Sequence, residues 1–118
     1  MTDKPYDFEQ RSRQFARKVK FFTEKIPYSI SNTEYTKQLI RSSGSIGANF
    51  IEADEALGKK DRVMHMRISR KEAKESIHWL DLIDAGNNTE LQKEQTYLKD
   101  EANQLLRILS SIILKLTQ

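Results

Sequence analysis

Glu75 and His78 are the residues of this chain whose types and spacing best suit metal chemistry. Their Glu-x-x-His spacing places both side chains on one face of a helix. Di-iron carboxylate proteins use this element twice, together with a glutamate from each of two further helices. The chain has one other histidine, His65, and no second Glu-x-x-His. We therefore interpret the element as a coincidence within a charged helix and expect neither a metal nor a cofactor.

The residues of this chain do not indicate nucleophilic catalysis. Because the chain has no cysteine, thiolate chemistry, Cys-ligated zinc and a disulfide framework are excluded. The serines between Ser42 and Ser45 have no histidine close by in the sequence to serve as a base. We predict that the protein has no catalytic residues and is not an enzyme.

Lysine and arginine form the more promising functional pattern. The net charge is +3, and the cationic excess falls in residues 1–30 and 59–86. Three cations of the first region follow i, i+4, i+7 spacing and so share a helical face. Phosphate groups need only such point charges, although a solvated basic face has the same appearance. The residues predicted to contact nucleic acid are Arg13, Arg17, Lys20, Lys59, Lys60 and Arg62.

Four segments with helical periodicity must position these residues. Apolar residues recur at steps of 3, 4 and 7, most regularly in the last segment, where they form a heptad seam. Capping-box spacing is present at Ser31–Glu34 and Thr89–Gln92. Gly58 suits the C-cap of the second segment, and Pro27 and Gly86 end the first and third. The predicted helices span about 7–26, 32–57, 60–85 and 89–116.

These helices predict an all-α fold, an antiparallel up-down-up-down four-helix bundle in one domain of residues 1–118. Short connections make neighbouring helices antiparallel, and 118 residues suit a single domain. Apolar residues make up 37% and charged residues 31%, as expected when each helix buries only a narrow seam. No segment has the length and apolar character of a membrane span or a signal peptide, so a cytoplasmic protein is expected.

The second predicted helix is unusual because three serines and two glycines lie between residues 42 and 47. Each interior glycine costs about 1 kcal/mol relative to alanine, so packing should compensate. A strip of small residues lets another helix approach closely, either within the bundle or from a second subunit. Direct phosphate binding is not expected, because a preceding strand and Walker spacing are both missing. The predicted contact residues are Ser43, Gly44, Gly47, Ala48, Asn49 and Glu52.

The middle of the third predicted helix, from Arg67 to Ser76, is mostly charged. The second helix offers acidic residues at Glu52, Asp54 and Glu55. We expect ionic contacts between these two helices, either within one subunit or between subunits.

Several segments resemble one known family. They are the run from Gln38 to Ala53, the Lys71–Ser76 segment with the following Trp79-Leu80, and the opening Phe-x-x-Arg-x-x-x-Phe from Phe8 to Phe15. Together they resemble the four-helix-bundle family of 23S rRNA intervening-sequence proteins, over nearly the whole chain.

The resemblance implies a bacterial homopentamer with a central channel and without catalytic residues. The family takes its name from reading frames inside intervening sequences of large-subunit rRNA genes. A related branch, the accessory variability protein of diversity-generating retroelements, is a basic pentamer that binds nucleic acid and a reverse transcriptase. We therefore predict a non-enzymatic oligomeric scaffold or adaptor that contacts structured RNA or DNA through basic faces. The alternative is a protein–protein interaction module that binds no nucleic acid.

Overall fold

The computed structural model describes residues 5–118 as four α-helices joined by short connections. Each helix packs against the next, and the last packs against the first, so the first and third helices are diagonal to each other. The predicted all-α four-helix bundle is confirmed. The helices are α1 (Pro5–Glu24), α2 (Ile30–Asp54), α3 (Lys59–Leu82) and α4 (Thr89–Thr117).

The buried core follows the apolar positions expected from the helical spacing. Phe8 of α1 and Phe50 of α2 pack with their ring centroids 4.7 Å apart. The polar residue in the α4 seam, Gln95, donates from its amide to the carbonyl oxygens of Leu80 at 2.6 Å and Ile83 at 2.8 Å. Each large buried side chain contributes about 1.5–3 kcal/mol. The largest fully buried apolar side chains are Phe8, Phe15, Phe22, Phe50, Leu39, Ile46, Leu80, Leu98, Leu105 and Leu109.

Buried serines let α2 and α3 approach closely. The hydroxyl groups of Ser42 and Ser76 lie 2.8 Å apart, and the Ser69 hydroxyl donates to the carbonyl oxygen of Ile46 at 2.7 Å. All three serines are buried, and each has a hydrogen-bond partner, so their burial carries little penalty. The small polar residues of this seam are therefore structural.

The connection between α1 and α2 differs from the prediction at both ends. Helix α1 ends at Glu24, two residues before the predicted Ile26. Helix α2 begins at Ile30, and its N-cap is Ser29 instead of Ser31, because the Ser29 hydroxyl accepts the backbone N–H of Asn32 at 3.0 Å.

The predicted role of Gly58 as a C-cap is wrong. Helix α2 ends at Asp54, and Gly58 has an extended backbone (φ −122°) as the N-cap of α3. The guanidinium of Arg62 instead donates to the carbonyl oxygens of Ala53 at 3.3 Å and Ala56 at 3.0 Å. A side chain from the next helix thus bonds carbonyl groups at this helix end, and the Ala53 carbonyl also accepts the backbone N–H of Ala56 at 3.2 Å.

The connection between α3 and α4 also begins earlier than predicted. Helix α3 ends at Leu82, and Gly86 lies in a turn with a positive φ of 71°. The N-cap of α4 is Asn88 instead of Thr89, because its side-chain oxygen accepts the backbone N–H of Leu91 at 3.1 Å. The Gln92 amide reaches back to the Gly86 carbonyl at 2.7 Å.

Asn32 fastens these two connections to each other. Its buried amide group donates to the carbonyl oxygens of Pro27 at 3.0 Å and Asp84 at 2.9 Å, and its oxygen accepts the N–H of Asp84 at 2.9 Å. One side chain therefore fixes how the α1–α2 and α3–α4 connections meet at this end of the bundle. None of the described helices is both long and apolar enough to cross a membrane.

Candidate nucleic-acid interface

The Glu-x-x-His element of α3 is engaged in ordinary surface contacts. The Glu75 carboxylate lies 3.6 Å from the guanidinium of Arg41, and the His78 ring packs edge-on against Trp79 with centroids 4.8 Å apart. Within residues 5–118, no three His, Asp or Glu side chains converge in a way that could hold a metal ion.

The three cations predicted on α1 do lie together. Arg13, Arg17 and Lys20 line a shallow groove of 470 Å³ whose other wall is formed by α2. Arg13 pairs with Glu9 and Lys20 with Glu24, each at 3.0 Å and exposed, and such pairs are worth less than about 1 kcal/mol. Arg17 is exposed and makes no ion pair within the described part of the chain.

The cations predicted at the α2–α3 corner separate into two roles. Arg62 is held by the carbonyl groups at the end of α2, so its guanidinium stabilises the bundle. Lys59 and Lys60 occupy the first turn of α3, and both are exposed. Because α3 is diagonal to α1, these two lysines do not share a face with Arg17.

A row of four cations lies along the outer face of α3, and the sequence pattern had indicated only Lys60 among them as a nucleic-acid contact. All four are exposed, and none has an ion-pair partner among residues 5–118. Their spacing of 7, 4 and 3 residues places them on one helical face over about 21 Å, at 1.5 Å per residue. We call this row the α3 stripe, and it consists of Lys60, Arg67, Lys71 and Lys74.

The ionic contacts expected between α2 and α3 form with reversed charges. The predicted acidic residues of α2 make no ion pair within the described chain, whereas Arg41 of α2 lies 3.9 Å from Glu72 and 3.6 Å from Glu75. These two glutamates of α3 turn toward α2, while Lys71 and Lys74 of the same turns face water and leave the stripe free. The positive end of the α3 dipole, beside Lys60, adds to the attraction for anions. A shallow groove of 1070 Å³ runs beside the stripe, past Val63 and Ile68.

The small-residue strip of α2 divides between interior and surface. Ser43 is buried, and Gly47 faces α1 so closely that an added Cβ would lie 2.9 Å from the Ser12 hydroxyl. Gly44, in contrast, has no atom within 4 Å of such a Cβ. The close approach within the bundle therefore accounts for Gly47, whereas Gly44 has no packing reason among the described residues.

The other predicted contact residues of α2 also lie partly in the interior and partly on the surface. The side-chain oxygen of Asn49 lies 3.3 Å from Nδ1 of His65, inside the α2–α3 seam. Glu52 is exposed and has no ion-pair partner in the described chain. The exposed apolar and small positions of α2 follow spacings of 4, 4 and 3 residues. We call them the α2 strip: Ile40 (49% exposed), Gly44, Ala48 and Ile51 (40% exposed).

The two glycines should respond oppositely to the same substitution. Gly44→Ala is expected to raise the free energy of unfolding by about 1 kcal/mol, because alanine restricts the unfolded chain and meets no atom here. Gly47→Ala is expected not to raise the free energy of unfolding. Its methyl group would displace the buried Ser12 hydroxyl, which donates to the Glu9 carbonyl at 2.9 Å. Urea unfolding of both variants checks this, and equal gains would contradict it.

Fold and surface together define an all-α, antiparallel four-helix-bundle protein whose third helix carries a row of exposed cations without ion-pair partners among residues 5–118. The chain belongs to the 23S rRNA-intervening sequence protein family, whose model matches residues 4–111. It is also similar to a crystal structure from Bacteroides thetaiotaomicron VPI-5482, a protein of unknown function from the S23 ribosomal protein family. That similarity has a TM-score of 0.76 at 29% identity and covers 96% of this chain and 98% of that chain. The predicted family resemblance is confirmed. None of the curated proteins matches this chain.

Proposed function

We propose that this protein is a non-enzymatic, homo-oligomeric scaffold that binds the phosphate backbone of duplex RNA or DNA. The α3 stripe carries the proposal, because Lys60, Arg67, Lys71 and Lys74 are exposed and unpaired within the described chain. An unpaired surface cation gains more from a phosphate than one that must first leave a carboxylate. Releasing the counterions condensed on the nucleic acid then supplies the free energy of binding.

The stripe suits a duplex backbone better than a particular base sequence. Its residues lie in a straight row that can follow the phosphates of one strand, and phosphate contacts carry no base sequence. Binding is therefore expected to follow charge and shape, with little preference for sequence. Duplex RNA is the first ligand to test, because the family name refers to an intervening sequence of 23S rRNA. This function requires the compartment that contains the nucleic acid, which in bacteria is the cytoplasm.

A direct binding measurement tests this function. A labelled 20-base-pair RNA duplex, titrated with the protein at low salt, should show saturable binding by fluorescence anisotropy. Binding should weaken as salt increases, because the contacts are ionic. A duplex that fails to bind at low salt, or binds with the same affinity at all salt concentrations, would contradict the proposal.

The oligomer is proposed to form through the α2 strip. Gly44 and Ala48 leave room for a close helix approach, while Ile40 and Ile51 offer apolar surface at either end. The family resemblance suggests five subunits, each of 13.8 kDa.

Charge placed in the α2 strip should dissociate the oligomer. Light scattering of the wild-type protein should give the mass of five chains, and the double variant Ile40→Glu, Ile51→Glu should give the mass of one. The matched control is Ser111→Glu, which adds charge to an exposed position of α4. A wild-type protein that is monomeric at micromolar concentration would refute the oligomer.

The same α2 strip favours a second candidate, a protein–protein interaction module that binds no nucleic acid. In that case the strip contacts a partner protein, and the cations serve only solubility. The two functions are separated by a pulldown after nuclease treatment. A partner that is retained without nucleic acid and lost in the Ile40→Glu, Ile51→Glu variant would favour the interaction module.

A further inference from the structure

Two aromatic rings stay in water on the α1–α4 side of the bundle, each beside a lysine. Phe21 is 55% exposed, and the Lys20 ammonium lies 4.8 Å from its ring centroid. Tyr97 is 48% exposed, and the Lys18 ammonium lies 4.9 Å from its ring centroid and donates to its hydroxyl at 2.8 Å. Lys18 precedes Phe21 by three residues, which is about one helical turn, so it is a neighbour of Phe21 on the helix surface as well as a partner of Tyr97.

The bundle does not need these rings for its core. On α1 the neighbouring Phe22 is fully buried, whereas Phe21 points away from the core. Arg17 lies one turn before Phe21 and has no ion-pair partner in the described chain. Cations and exposed rings therefore alternate over a short distance. We call this surface the aromatic patch, and it consists of Arg17, Lys18, Phe21 and Tyr97.

We propose that the aromatic patch binds single-stranded RNA or DNA. Unpaired bases stack on the Phe21 and Tyr97 rings, and the phosphates between them contact Lys18 and Arg17. Every base has a flat π face, so such a surface accepts single strands of any sequence, whereas a duplex keeps its bases stacked on each other and cannot use the rings. The alternation of positive charge with aromatic rings matches a strand in which phosphates alternate with bases.

The aromatic patch and the α3 stripe lie on different helices. Phe21 is on α1, which is diagonal to α3 and does not pack against it, and Tyr97 is on α4. A duplex on the α3 stripe would have to bend within a few base pairs to reach Phe21, which is costly because the persistence length of DNA is about 150 base pairs. The two surfaces therefore bind two separate stretches. This inference deepens the proposed function by adding a second class of nucleic acid.

Ring removal tests the aromatic patch. The probe is a labelled 12-nucleotide oligouridine, measured by fluorescence anisotropy at low salt, with the RNA duplex in parallel. The double variant Phe21→Ala, Tyr97→Ala should lose at least about 10-fold in affinity for oligouridine, as expected when base stacking is lost, and keep its duplex affinity. The matched control is Tyr28→Ala, which removes a ring that is 86% exposed but lies in the α1–α2 connection. This control should bind oligouridine like the wild type.

Two results would overturn the aromatic patch. One is unchanged oligouridine binding in the double variant, and the other is an equal loss in Tyr28→Ala. The double variant Tyr97→Phe, Phe21→Tyr should retain oligouridine binding, since both rings remain. A loss of binding in this variant would also contradict base stacking. Failure of the proposed duplex function would be seen separately, as wild-type protein that binds oligouridine but no duplex.

Discussion

The triple variant Arg67→Glu, Lys71→Glu, Lys74→Glu is expected to lose on the order of 100-fold in affinity for duplex RNA at low salt. It removes three of the four cations of the α3 stripe and replaces them with charges that repel phosphate. All three side chains are exposed and make no ion pair with residues 5–118, so their loss should leave the bundle intact. Fluorescence anisotropy with the labelled duplex measures the affinity, and thermal unfolding checks the fold.

A second triple variant separates the contribution of the α3 stripe to binding from the contribution of the protein's net charge. Lys93, Arg107 and Lys115 are also exposed and unpaired in the described chain, but they lie on α4. Changing all three to glutamate alters the net charge of the protein by the same amount. If this variant loses as much affinity as the α3 variant, general attraction explains the binding and the stripe has no special role.

Asn32→Ala is expected to lower the free energy of unfolding by about 2–4 kcal/mol. The substitution leaves the carbonyl groups of Pro27 and Asp84 and the N–H of Asp84 without their partner at the buried junction of two connections. Each buried polar group that loses its partner costs about 1–3 kcal/mol, partly relieved where water enters. Urea denaturation, followed by circular dichroism, measures the change.

The control for this prediction is Asn103→Ala. Asn103 is exposed on α4, and its amide makes a single 3.3 Å hydrogen bond to the Lys99 carbonyl of its own helix. The same substitution there should change stability by less than about 0.5 kcal/mol. If both variants unfold at the same urea concentration, the Asn32 contacts do not hold the two connections together.

The fold was predictable because helical periodicity is a local property that tertiary structure preserves. Phe15, Val19 and Phe22 recur at the spacing that one helix face requires, and all three are buried. The heptad seam of α4 is buried in the same way from Leu98 to Leu109, whereas beyond it Ile113 is buried and the seam residue Ile112 is half-buried. Because the connections are short, neighbouring helices must run antiparallel, and this arrangement buries the apolar seams of all four helices.

Helix ends were less predictable because distant side chains decide them. Ser31 and Gly58 have suitable residue types for a cap and yet do not serve as predicted. Arg62 closes the end of α2 from the next helix, and Asn32 ties the α1–α2 connection to Asp84, 52 residues away. Such contacts arise only after the helices have packed, so local sequence could not show them.

The candidate interface was predicted in part. The α1 cations stood out because few acidic residues surround them, whereas the α3 stripe is interrupted by Glu72 and Glu75 in the sequence. Only the structure shows that both glutamates turn toward Arg41 and leave the cations in water. The helical spacing of the cations would have added Arg67 and Lys71 to the predicted Lys60. The exposed position of Phe21, next to the buried Phe22, required the packed helices.

The salt dependence of duplex binding tests the role of the α3 stripe most directly. For four phosphate contacts, the logarithm of the association constant for duplex DNA should fall against the logarithm of salt concentration with a slope of about −3.6. In the variant Arg67→Glu, Lys71→Glu, Lys74→Glu, the slope should shrink to about −1, since one contact remains. Wild-type protein that binds no duplex at low salt, or a slope that the triple variant leaves unchanged, would contradict nucleic-acid binding by the α3 stripe.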